Sequence, residues 1–167
     1  MRPDRLVLTF LSTLFIVAAS PVCADDARDR DHKRIVELIL KQVNLKRAIN
    51  GVGRLTPNRR LTAAAQKHAK QMARRDFVDH RSPGGRSLRD RIATEGYSWR
   101  VIAENLSAGQ SSPESTVESW MTSPGHRENM LNSDYLEVGM GYAVPSKEGK
   151  RPRYSNYWVV VFGAQSR

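Results

Sequence analysis

The sequence predicts an α+β fold in a single domain. Three observations predict it: apolar residues recur at helical spacing in successive segments between residues 35 and 131, two strand-like runs close the chain, and no interior break in composition divides it. The 167 residues suffice for one sizeable core. A 40% apolar fraction excludes wholesale disorder.

Residues 1–24 have the layout of a secretory signal peptide. Arg2 and Arg5 make a positive start, residues 6–19 an apolar run, and Ser20-Pro21-Val22-Cys23-Ala24 a close with cleavage expected after Ala24. The run is shorter than the roughly 20 apolar residues of a spanning helix, which favours a cleaved leader over a membrane anchor. Ser20-Pro21-Val22 fits poorly before a lipidated Cys, so Cys23 leaves with the leader. The mature chain then has no Cys, which excludes disulfides, thiol catalysis and multi-Cys zinc modules. Secretion or a periplasmic location is the expectation, with no transmembrane segment in the mature chain.

Residues 25–34 are almost wholly charged and read as a solvated lead-in to a domain at 35–167. Ile35/Val36, Ile39/Leu40 and Val43 space a first helix, ended by Gly51-Val52-Gly53. Thr56-Pro57-Asn58 offers a cap for a second, whose inner face is Leu61, Ala64/Ala65, His68/Ala69 and Met72/Ala73. That Ala-rich face suits close packing against a neighbour. After a turn at Ser82-Pro83-Gly84-Gly85, Ser87 caps a third helix over 88–95, and Gly96 ends it. A polar loop leads to Ser112-Pro113-Glu114 and a fourth helix with Val117, Trp120 and Met121 on one face. Ser123-Pro124-Gly125 breaks it ahead of a short helix over 126–131. Residues 138–144 and 154–162 read as strands, joined by a charged tip at 146–153. Two strands do not stand alone, and Leu106-Ser107-Ala108 is the candidate third.

Four histidines are present. His32 lies in the charged lead-in and reads as solvated; His68 reads as a hydrogen-bonded packing residue. His80 and His126 differ, each standing at a Gly/Pro-marked boundary where site residues concentrate. Glu104 interrupts an otherwise apolar stretch, where a carboxylate is a backbone-bonded structural acid or a functional one. Two His and one Glu are a zinc set by ligand type, although the compact HExxH spacing is absent. A nucleophilic Ser123 or Ser82 lacks a G-x-S-x-G elbow. Trp120 and Trp158 read as packing residues, and Trp99 as a residue that could border a cleft.

Taken together, His80-Arg81-Ser82-Pro83, Glu104-Asn105-Leu106, residues 120–131 (WMTSPGHRENML) and Val138-Gly139-Met140-Gly141-Tyr142 resemble the CAP superfamily. That group comprises cysteine-rich secretory proteins, antigen 5 and pathogenesis-related 1 proteins, also called SCP-like extracellular proteins; the chain resembles its bacterial branch. Asn44-Leu45-Lys46-Arg47 and residues 61–65 extend the resemblance over about 35–164, essentially the whole mature domain. It implies a three-layer α-β-α sandwich with a small antiparallel sheet, and a cleft holding two His and two acids. His80, Glu104 and His126 match three of those positions. Ser123 stands at the fourth, and Glu118 should lie on the opposite side of its helix. Through the same resemblance His80 and His126 are the expected ligands of any divalent metal such as zinc.

Members of such a family share architecture and no single reaction. The first expectation is an exported binding module whose cleft of His80, Glu104, Ser123 and His126 takes a ligand, with or without a divalent ion. The alternatives are a metal-assisted hydrolase of peptide or cell-envelope material with Glu104 as catalytic acid or base, or a sterol- or lipid-binding protein. The formal charge of +10 adds attraction to anionic envelope polymers, with Lys67, Lys70, Arg74 and Arg75 close to one helical register. Basic residues elsewhere, Arg89 and Arg91 included, read as ordinary solvated face. No nucleic-acid-binding fold is recognisable, and a monomer is expected.

Overall fold

A computed structural model describes residues 21–146 and 151–166, with side chains from residue 30 onward. The expected leader therefore lies mostly outside the described residues, as does the middle of the charged tip. Five helices and four strands follow in the order α1 (Pro21–Ile49), β1 (Thr56–Pro57), α2 (Arg59–Arg75), α3 (Leu88–Thr94), β2 (Trp99–Ala108), α4 (Pro113–Thr122), α5 (Pro124–Leu131), β3 (Glu137–Ala143) and β4 (Tyr157–Gln165). The sheet order is β1-β3-β4-β2. No helix among the described residues is long and apolar enough to cross a membrane.

The sheet separates two apolar layers, and strand alternation decides which residue joins which. On β4, Tyr157, Val159 and Val161 face Leu61, Ala65, Met72 and Ile92 of α2 and α3. Trp158, Val160 and Phe162 face Val43, Val117, Trp120 and Met130 of α1, α4 and α5. This is the three-layer α-β-α sandwich. The face predicted for α2 is buried at each of its positions from Leu61 to Ala73, and it lies against β3. A Cβ at Gly139 would fall 2.0 Å from the Leu61 carbonyl carbon, and one at Gly141 2.4 Å from that of Ala65. Only glycine permits this approach.

Five expectations are corrected. The stretch read as a polar loop with a three-residue strand is the ten-residue β2, paired antiparallel with β4 from Trp99 to Ala108. Its polar residues Glu104, Asn105 and Ser107 are buried and bonded, which disguised the strand. The sheet is mixed, because Thr56 and Pro57 pair in parallel with Glu137 and Val138; the α2 cap is Asn58 alone, accepting from the Arg60 and Leu61 amides. The lead-in at 25–34 is helical, forming the first turns of α1 with exposed side chains at Arg30, Asp31, Lys33 and Arg34. Within it His32 is half-buried and stacks on Tyr142 at 6.5 Å.

Candidate functional site

β2 is an edge strand, so both helical layers meet around it. Its alternation sends Glu104 toward α3 and Asn105 toward α5. Asn105 is fully buried; its amide donates to the His126 carbonyl at 3.0 Å, and its carbonyl accepts from Asn129 at 2.9 Å. Two consecutive strand residues thus hold the two sides of the site.

On the Glu104 side the carboxylate is buried, its side chain 1% exposed. Oε1 accepts from the Arg91 guanidinium at 2.5 Å and Oε2 from His80 Nδ1 at 2.9 Å. A carboxylate paired with arginine is an acceptor, so Nδ1 carries the proton and Nε2 is the outward nitrogen. The His80 ring is 60% exposed. Its hydrogen bond to Glu104 raises its pKa above the ordinary histidine value, outweighing partial burial.

The segment bearing His80 is fixed from both flanks. Fully buried His68 donates from Nε2 to the Asp79 carbonyl at 2.8 Å, and its Nδ1 faces the Ser82 hydroxyl at 3.4 Å. Arg91 donates to the His80 carbonyl at 2.6 Å. Burial lowers the His68 pKa, consistent with a neutral ring that bonds through both nitrogens. Arg91, read from sequence as solvated, is 5% exposed and organises the site; this is a correction. No spacing rule reveals it, because its partners come from β2 and a distant loop. His68 behaves as the packing histidine the sequence suggested, with the added task of anchoring the loop.

His126 is half-buried in the first turn of α5. Burial first, and the charge of His80 second, hold its pKa below the ordinary value. The charge of one imidazole is thus felt by the other, and their tendencies are opposite, one favouring the charged form and one the neutral form. Ser123 is half-buried at the junction of α4 and α5, and its side chain makes no capping bond. Glu118 points away, paired with Lys46 of α1 at 2.5 Å. Trp99 packs against the α2 layer at the far end of β2.

The donor set can be tested for a divalent metal. His80 Nε2 and His126 are suitable donors, and a carboxylate behind a ligating histidine is the usual orienting arrangement. Glu104 has both oxygens engaged and is not a third ligand. Among the described residues no group of three His, Cys, Asp or Glu side chains is placed to hold a metal ion. The chemistry fits a two-histidine site and falls short of the three protein ligands usual for catalytic zinc.

Residues 40–162 match the family described as the cysteine-rich secretory protein family, CAP. The uncharacterized protein YkwD of Bacillus subtilis (strain 168) is 34% identical over 110 residues, 66% of this chain and 41% of that protein. The uncharacterized membrane protein YlbC of the same organism is 30% identical over 103 residues, 62% of this chain and 30% of its own length. The chain therefore spans less than half the length of these relatives. Among solved structures, an extracellular protein containing a SCP domain from Bacillus anthracis superposes with TM-score 0.73 at 21% identity, covering 89% of this chain and 45% of that one. An outer surface protein of Borrelia burgdorferi gives 0.71 at 20% identity, covering 80% and 95%. These two likenesses are of fold. The family match over most of the sequence and the same layered fold lead to one conclusion: the chain belongs to the cysteine-rich secretory protein (CAP) family.

Proposed function

We propose that the chain is an exported binding module whose cleft, formed by His80, Glu104, Ser123 and His126, takes an oxygen-bearing ligand group or a divalent ion between its imidazoles. One observation carries this reading: both Glu104 oxygens are spent on Arg91 and His80. A carboxylate so engaged, its side chain 1% exposed, orients and charges an imidazole and is shielded from water. That arrangement supports binding over the hydrolase reading, and a polar cleft suits a polar ligand better than a sterol. Below its raised pKa His80 presents an N–H donor to an anionic group. Above it, Nε2 offers a lone pair beside the neutral His126. A zinc ion held there would supply a Lewis-acidic point for a ligand oxygen. Export rests on the leader-like layout of residues 1–24 and agrees with the extracellular and surface proteins that share the fold.

Zinc titration by calorimetry, using the wild type, His80→Ala and His126→Ala, tests the site. The expected result is binding that strengthens as pH rises through the His80 pKa and is lost in both variants. Binding unchanged in the two variants overturns the assignment. Turnover of a peptide or glycan library that disappears in folded Glu104→Gln overturns the binding-only reading.

A further inference from the structure

A concave surface lies between α2 and the segment leading into α3, and none of the histidines lines it. It encloses about 540 Å³ and is lined by Lys67, Lys70, Gln71, Arg74, Arg86 and Arg91. Lys67 is neutralised by Glu95 at 2.7 Å. Lys70 and Arg74 have no ion-pair partner among the described residues, although they stand one turn apart on α2. Like charges at that spacing repel and destabilise a helix unless something anionic lies over them. Arg86 adds a third cation from the facing wall; Asp90 is the acid whose charge it feels.

The wall also carries two polar atoms that the fold leaves unsatisfied. Arg91 Nε and Gln71 Oε1 are both buried and without a hydrogen-bond partner, one a donor and one an acceptor. Arg91 as a whole is 5% exposed. Both atoms are closed to solvent and out of reach of a bound group, so the exposed cations carry the recognition. Phosphate oxygens suit the three cations.

We propose that this groove binds the phosphate groups of a soluble phosphodiester chain. A concave groove with cations on facing walls favours a slender chain over the flat face of a bilayer. The site is separate from the His80–His126 cleft and touches it only through Arg91.

The test uses the full chain and poly(glycerol phosphate) as probe, followed by calorimetry at two salt concentrations. Lys70→Gln/Arg74→Gln, on exposed positions, is expected to weaken binding by roughly tenfold or more. Arg59→Gln/Arg60→Gln, equal in charge change but outside the groove, should leave it within about twofold. Zinc binding at the histidines should survive in both variants, which separates this site from the first. Equal loss in both charge variants reports diffuse attraction and overturns the proposal. So does binding to phosphatidylglycerol vesicles with none to the soluble chain.

Discussion

A carboxylate as buried as Glu104 survives only where its charge is answered, and here Arg91 and His80 answer it together. Glu104→Gln leaves the Arg91 guanidinium buried without a counter-charge, and should cost about 3 kcal/mol in urea unfolding. The same variant removes the main cause of the raised His80 pKa, so the His80 titration followed by NMR should fall toward the ordinary value. The pH sign follows from the shifts. His80, raised on folding, contributes stability that is fully present below about pH 6.5 and fades as pH rises through its folded pKa. His126 and His68, lowered on folding, act the other way and cost stability as pH falls from 6.5 toward their folded values. The urea midpoint of wild type should therefore lead that of His80→Asn at acid pH, with the gap closing on the alkaline side; a gap that widens there contradicts the pairing. His80, Glu104 and His126 were legible because loop punctuation and an acid in an apolar run stand out along a chain. Arg91 was not, since one arginine on a seven-residue helix looks like any surface charge until β2 is folded against it.

At the scale of elements, the fit of α2 to β3 depends on two absent side chains. Gly139→Ala forces a methyl into the backbone of Leu61 and Thr62, which cannot yield as a flexible side-chain tip would. Such overpacking costs about 3 kcal/mol or more, read as a lowered thermal midpoint, whereas Gly53→Ala meets nothing within 4 Å and should differ little. The helix itself was legible: an Ala-rich face at 3.6 spacing has one reading. β2 was not. Glu104, Asn105 and Ser107 are polar, as loop residues are, yet all three are buried. Each is bonded, to Arg91, Asn129 and Gln110 respectively. A strand whose polar groups are satisfied by distant elements hides its period from any local pattern.

For the molecule as a whole, the question is what ties α1 to the rest, and Arg47 supplies the tie. It is 1% exposed. Its guanidinium donates to the carbonyls of Gly53 at 2.6 Å, Met130 and Asn132 at 2.9 Å, and Tyr135 at 3.4 Å. It thereby fastens the end of α1 to the whole connection from α5 to β3. Burial lowers its pKa, but arginine keeps its proton, and the charge is answered by carbonyl dipoles, two of them at the negative end of α5. Because that connection follows the helix bearing His126, the same residue links global stability to the cleft. Arg47→Met keeps the stem and strips the fork, leaving buried carbonyls unpaired, and should cost about 3–5 kcal/mol in urea unfolding. Arg47→Lys should recover only part of this, since one ammonium cannot span carbonyls on three segments. Amides of residues 132–136 should lose hydrogen-exchange protection before those of β4 in Arg47→Lys, because β4 is covered by both layers and this connection is held from one side. Uniform loss of protection across the sheet would instead place Arg47 in the common core of the fold.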